Sequence, residues 1–520
     1  MRVNDDSRTS ELFSCILYFL FYAVLANVPF WIGTRTESLV VHGWFCFDYL
    51  AAGAISLFLP PLACAAVLAI AMILDLLASI CETYYIAPSQ ILFSSGAMWQ
   101  FSPKRILSIA VITSTVIVVA WSSLHIARLR RGAWWRTKAA LALMSFSLVC
   151  FMTELVQGSL DSRWFVNPMR GFESADVLNV GHFNRTRPAR YPLKKLIGLQ
   201  MLEYAAHTSA RKFGFQAADS PSATAIAIKA GAIPERDSVQ KPDVVLIVVE
   251  SWGLSADSAI RNSLVAPYTN GNLATKYQML QGTVPFYGPT VMGEVRELCG
   301  SKGGFEVLNA SPSELQKCLP GRLTSLGYQN IALHGMDGHL FDRNKWYPKI
   351  GFDEVRFRDS FKDLGLPNCP GAFSGTCDAD VADWIGDRLE KDEARPRFVY
   401  WMTLNSHLPL PNPPLLQNPA SCSISDSARR MPALCSWYQL EDNVHQAIAD
   451  LALRVSARPT VFIVVGDHAP PFSEPELRDG FSNAVVPYLI LIPTRASIID
   501  PRRARHKVGL NQKMPSHAGD

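Results

Sequence analysis

The sequence predicts an N-terminal α-helical membrane domain of about five spans followed by an α/β domain, and three observations carry that reading. Long apolar runs dominate the chain up to about Ser159. After Pro242 the pattern changes to short β-branched runs such as Asp243 to Val249, as expected of buried parallel strands. Acidic and imidazole residues follow directly on several of those runs, at the strand ends where open α/β sheets gather their ligands. The 520 residues leave room for more than one domain, expected at 1–158 (transmembrane anchor), 159–241 (juxtamembrane linker) and 242–520 (an extracytoplasmic globular domain).

The run from Leu12 to Ile32 reaches the ~20 residues that cross a bilayer and has no small-residue cleavage site, so it is expected to stay attached. Val40 to Ile80 is too long for one helix, and Pro60-Pro61 breaks it into a hairpin of two spans. Ile106 to Ala127 and Ala139 to Val156 complete the five. Arg128, Arg130, Arg131, Arg136 and Lys138 crowd the last short loop and set it on the cytoplasmic side, which sends the fifth span and everything after it outward. The N-terminus and the Pro-Pro turn then fall inside and the Glu82 to Arg105 loop outside. Asp48 and Asp75, within apolar segments, are read as helix-end or interhelical pairing residues.

The formal charge of +4 is small and its basic residues are dispersed, which excludes an electrostatic case for nucleic-acid binding. Cys15, Cys46, Cys64, Cys81 and Cys150 sit in or beside spans and read as packing residues. Cys299, Cys318, Cys369, Cys377, Cys422 and Cys435 all fall in the external domain, where disulfides are expected, with 15 pairings open. In the linker, RTRPARYPLKK precedes Ile197 to Phe213, a possible amphipathic helix for the membrane surface.

In the external domain the Asp243–Val249 strand releases Glu250-Ser251, and Thr460–Val465 releases Gly466-Asp467-His468. Singly, such residues are more often caps or surface groups; two adjacent strands would bring them together. Phe398–Leu404 delivers Asn405-Ser406-His407, and Ile331–Leu333 delivers His334, with Arg343 in a polar turn beyond. Histidine, arginine and carboxylate at one sheet edge suit an anionic phosphoryl group, which needs charge neutralisation. In YGPTVMGEVRELCG, Tyr287 to Gly300, Thr290 falls at or near the N-cap of a helical pattern over Val291 to Leu298. A plain cap is one reading; the other is a nucleophile, because a helix start favours anions and a metal lowers a hydroxyl pKa.

Taken in order, strand-Glu-Ser at Glu250, Thr290 followed by Glu294, GDH at Asp467-His468 and the strand VPYLILIP, Val486 to Pro493, resemble the sulfatase-like branch of the alkaline phosphatase superfamily over roughly Pro242 to Pro493. Within it the sequence is similar to lipoteichoic acid synthases and phosphoglycerol transferases, with lipid A phosphoethanolamine transferases next. The resemblance implies an α/β sulfatase-like catalytic domain, with one divalent metal ion (Mn, Zn or Mg) held by Glu250, Thr290, Asp467 and His468. It also implies that Thr290 carries a covalent intermediate and His407 acts near the attacked phosphorus. The segment HGMDGHLFDRNKWYPKIGFDE resembles the family's head-group segment, which gives substrate contacts to His334, Phe341 and Arg343, with phenylalanine where tryptophan is usual.

The implied activity moves a phosphoglycerol-type head group from a membrane phospholipid donor to an envelope glycan or lipid acceptor, at a bacterial-type cytoplasmic (inner) membrane with the catalytic domain outside. The alternatives are a phosphoethanolamine transferase acting on lipopolysaccharide or another glycan, and a phosphodiester hydrolase. The Cys/Ser-Pro-Arg formylglycine motif of true sulfatases is absent around Thr290, which argues against sulfate ester hydrolysis. The sequence ends at Asp520, where relatives continue into a further helix, so the last turn of the fold is expected to be degenerate or missing.

Overall fold

The computed structural model describes residues 5–37, 45–83, 103–126, 133–159, 220–237 and, with short interruptions, 241–494. The expected linker helix at 197–213, the loop at 84–102, the arginines at 128, 130 and 131, and the C-terminal segment beyond 494 lie outside these residues. The chain divides into two compact units, one spanning residues 1–211 with 471–478, the other 212–470 with 479–520.

The first unit is helical: Asp5–Ala23, Val28–Glu37, Phe47–Ser56, Pro61–Thr83, Pro103–Ile126 and Ala133–Ser159. Its centre is apolar, with Tyr18, Phe21, Tyr22, Leu50, Leu57, Leu68, Met72 and Leu143 all buried. The break at Pro60-Pro61 falls where the sequence places it, because Pro61 has no N–H to lose at a helix start. Asp75 is an interhelical partner, accepting a hydrogen bond from Tyr49 Oη at 2.6 Å.

The five-span count is corrected. Among the described residues two helical stretches are long and apolar enough to cross a membrane, Leu12–Thr36 and Ile106–Ile126. For one expected span the reason is length. Phe47–Ser56 has ten residues, about 15 Å of helix.

The second unit is built on a mixed seven-stranded sheet. Its strands are β1 (Asp243–Val249), β2 (Tyr277–Pro285), β3 (Gln329–His334), β4 (Glu354–Arg356), β7 (Arg397–Met402), β8 (Thr460–Gly466) and β9 (Val485–Pro493), in the order β2-β9-β8-β1-β7-β3-β4. A separate two-stranded ribbon pairs β5 (Asn368–Cys369) with β6 (Gly375–Thr376). β8, β1, β7, β3 and β4 run parallel, while β9 is antiparallel to both β8 and β2. Every residue of β1, β7 and β8 is buried, which is why these strands read as unbroken apolar runs. The register sets Val249 beside Gly466 and Val248 beside Met402, so the segments after β1, β8 and β7 emerge together.

Three disulfides join six cysteines of the second unit: Cys299–Cys318, Cys369–Cys377 and Cys422–Cys435.

Candidate active site

Glu250 and Asp467-His468 leave the carboxyl ends of the adjacent parallel strands β1 and β8, and all three are buried. Their ligand atoms lie within 4.8 Å of one another, in the one such group of three among the described residues. His468 Nε2 is 3.5 Å from Glu250 Oε1 and 3.3 Å from Asp467 Oδ2.

The backbone fixes this arrangement. Ser251 sits at φ 61°, a left-handed conformation costing a non-glycine residue on the order of 1–2 kcal/mol. In that conformation its N–H donates to Asp467 Oδ1 at 2.8 Å and its hydroxyl to Glu250 Oε1 at 2.9 Å. Trp437 Nε1 donates to the Ser251 carbonyl at 3.1 Å, which helps to hold the turn. Gly466 ends β8 without a side chain because a Cβ there would lie 2.0 Å from the Trp252 carbonyl oxygen.

Thr290 is the first residue of the helix Thr290–Cys299, one position inside the Pro289 cap. Its hydroxyl therefore caps nothing. Instead Oγ1 donates to Glu250 Oε2 at 3.2 Å and lies 3.4 Å from His468 Nε2. Arg296, two turns on, anchors the same helix, donating to the carbonyls of Gly466 at 2.7 Å and Pro285 at 2.9 Å.

The donor set fits a divalent cation. Asp467 Oδ1 already accepts from the Ser251 and His468 N–H groups, whereas the buried Oδ2 accepts no hydrogen bond. His468 Nδ1 faces the Ala469 carbonyl at 2.9 Å, which places its proton there and turns the Nε2 lone pair inward. Burial, then the charge of Asp467, pushes the Glu250 carboxyl well above its ordinary pKa. Two carboxylates, a hydroxyl and an imidazole converging on one point are what a bound cation would satisfy. A metal held there would reverse the direction of the Glu250 shift.

The other expected residues form two neighbouring sets. His407 follows β7, with Nε2 4.0 Å from Glu250 Oε1 and its ring edge-on to Phe373 at 4.5 Å. Its loop is pinned by Asp378, whose carboxylate accepts from the Leu404 and Asn405 N–H groups at 2.7–3.1 Å. His334 ends β3 with Nδ1 3.0 Å from the Met402 carbonyl and Nε2 3.4 Å from Arg343 Nη1. Burial, then Arg343, holds its pKa well below 6.5, so the ring is neutral. The Phe341 ring lies 5.1 Å from the Arg343 guanidinium.

Sequence reasoning missed the partners. Arg343 is ion-paired with Glu294, Nη2–Oε1 2.6 Å, and both are buried. Thr403 Oγ1 accepts from the Glu250 N–H at 2.9 Å. Helical spacing placed Glu294 on the face of Thr290, but nothing in the sequence linked it to a residue 49 positions away.

The sulfatase family model matches residues 242–506, just over half of the chain. No curated protein matches significantly. Among solved structures, the chain is similar to a protein in the alkaline phosphatase superfamily from Vibrio parahaemolyticus, at 17% identity over 50% of this chain and 62% of that one, TM-score 0.35. It is also similar to the lipoteichoic acid synthase LtaP from Listeria monocytogenes, at 13% identity over 50% of this chain and 70% of that one, TM-score 0.35. A third is the Streptococcus pyogenes phosphoglycerol transferase GacH in complex with sn-glycerol-1-phosphate, at 16% over 57% and 83%, TM-score 0.34. The chain thus spans 62% of the length of the Vibrio protein, and likenesses this distant say nothing of activity. The family model, matched across the strands that release Glu250, Asp467 and His468, shows that the chain belongs to the sulfatase family.

Proposed function

We propose that the protein is a membrane-anchored, metal-dependent transferase that moves a phosphoglycerol-type head group through Thr290. The observation that carries this reading is the Thr290 hydroxyl at a helix start, 3.2 Å from Glu250 and 3.4 Å from His468. An alcohol nucleophile beside a cation site, with no formylglycine motif, suits phosphorus rather than sulfate esters.

A divalent ion (Mn, Zn or Mg) held by Glu250, Thr290, Asp467 and His468 would supply charge neutralisation at the nucleophile and the phosphoryl oxygens. In the first half-reaction Thr290 Oγ1 forms a bond to the phosphodiester phosphorus of a phospholipid such as phosphatidylglycerol, and the bond to diacylglycerol breaks. The threonine proton leaves to a base in the site, and His407 is the group placed to return a proton to the departing oxygen. In the second half an acceptor hydroxyl on an envelope glycan or lipid attacks the phosphothreonine diester and restores Thr290. Arg343 and His334 shape the head-group side, with the Phe341 ring against the guanidinium.

Disulfides throughout the soluble domain support an oxidising compartment outside the cytoplasm. The apolar stretches Leu12–Thr36 and Ile106–Ile126 support an anchor, read here as multi-pass in a bacterial-type inner membrane, which keeps the site near its lipid donor. The test is mass spectrometry of the Thr290 peptide after incubation with phospholipid vesicles. A phosphoglycerol adduct supports the reading, a phosphoethanolamine adduct redirects it to that head group, and release of free head group into water identifies a hydrolase. No adduct and no release overturns it.

A further inference from the structure

Glu294 lies one helical turn beyond Thr290 and is completely buried. Its Oε1 receives Arg343 Nη2 at 2.6 Å and Nε at 2.8 Å, and its Oε2 receives Tyr347 Oη at 3.3 Å. Arg343 is only 1% exposed, and its remaining Nη1 faces His334 and the Leu340 carbonyl. Two of the guanidinium's three nitrogens are therefore committed to one carboxylate on the helix that carries the nucleophile. The same helix packs on the metal-ligand segment, where Gly293 leaves no room between its Cα and Asp467. The negative charge of Asp467 also acts on Glu294, so the ion pair and the ligand cluster share one electrostatic environment.

A buried guanidinium without a counter-charge in that environment would repel a divalent cation. The carboxylate cancels it and at the same time fixes Arg343 relative to Thr290. We propose that Glu294 is a positioning residue that neutralises Arg343 beside the cation site and ties it to the nucleophile's helix. This rests on the metal-dependent reading above, not on the identity of the head group.

The test is Mn2+ affinity of the full-length protein in detergent, with folding followed by thermal unfolding. Glu294→Gln keeps shape and hydrogen-bonding capacity but leaves the guanidinium uncompensated, so Mn2+ binding should weaken by about threefold or more. Adding Arg343→Met removes the stranded charge, and the double variant should recover to within about threefold of wild type. A role in packing alone would make the double variant worse than the single one. The proposal is overturned if Glu294→Gln binds Mn2+ within threefold of wild type, or if the folded double variant does not recover. Should Glu294→Gln not fold, Glu294→Met with Arg343→Met takes its place; a folded protein of this kind that has lost Mn2+ binding overturns the proposal. Wild-type protein that binds none of Mn2+, Zn2+ and Mg2+ sinks both readings, whereas binding without any Thr290 adduct sinks the transferase reading alone.

Discussion

Gly293 lies directly against Asp467: a Cβ on Gly293 would come within 2.9 Å of both Asp467 Cα and Cβ. Inside a helix, Gly→Ala normally gains up to ~1 kcal/mol. Here the methyl would push the Thr290 helix from the ligand segment, so Gly293→Ala is expected to lose roughly 1–3 kcal/mol of stability and to weaken divalent-metal binding. Urea unfolding and Mn2+ titration check this; a stabilised variant with normal affinity would show that the contact yields.

Thr290→Ala should fold normally, because its hydroxyl caps no helix N–H. It should abolish the covalent adduct and turnover, while Thr290→Ser retains part of both since the oxygen survives. Head-group transfer by folded Thr290→Ala at near wild-type rate would require another nucleophile.

Asp467→Ala and His468→Ala each remove a ligand from the convergent set and, for Asp467, also the acceptor of the Ser251 and His468 N–H groups. Both are expected to lose metal and activity together, Asp467→Ala with the larger loss of stability. Elemental analysis of the purified variants is the measurement, and normal metal content in either would take that residue out of the site.

His445 is fully buried against Tyr268 and Trp252, and burial holds its pKa down to about 3. The folded value is below the unfolded 6.5, so the unfolded chain takes up the proton first and stability falls as pH drops below that value. Between pH 7 and 5 this single group should cost roughly 2 kcal/mol. The buried carboxyl of Glu250 is shifted the opposite way, so the comparison of wild type with His445→Gln isolates the histidine. Equal losses in both proteins would mean that the ring is protonated in the fold.

Cys299 and Cys318, 19 positions apart, tie the end of the Thr290 helix to the start of the helix Leu319–Ser325. Chain entropy for a loop of this size puts the cost of replacing both by serine at ~3 kcal/mol. All six cysteines of the second unit should resist alkylation in denatured, unreduced protein; complete labelling would contradict the pairing.

What the sequence made legible was local. The strands that release Glu250 and Asp467 read as almost unbroken apolar runs because they are buried on both faces, and the residues just past them are fixed by chain direction. β2 escaped notice because its burial alternates irregularly along Tyr277–Pro285 at the sheet edge. The Glu294–Arg343 pair and the left-handed turn at Ser251 escaped because each depends on partners remote in sequence. The span count was too high because apolar composition alone does not say where a helix starts or stops, as the ten-residue Phe47–Ser56 shows.

The pairing of β1 with β8 joins residues 216 positions apart, through Ser251 and Asp467. A chain made N-terminus first therefore presents Glu250 and Thr290 long before Asp467 and His468 exist beside them. No partly made chain can hold the full candidate ligand set, so on the proposed metal-dependent reading an ion would be loaded only once the sheet is finished. The ion such a site would take up is then decided by what surrounds the finished sheet, because four hydroxyl, carboxylate and imidazole donors discriminate little among divalent metals.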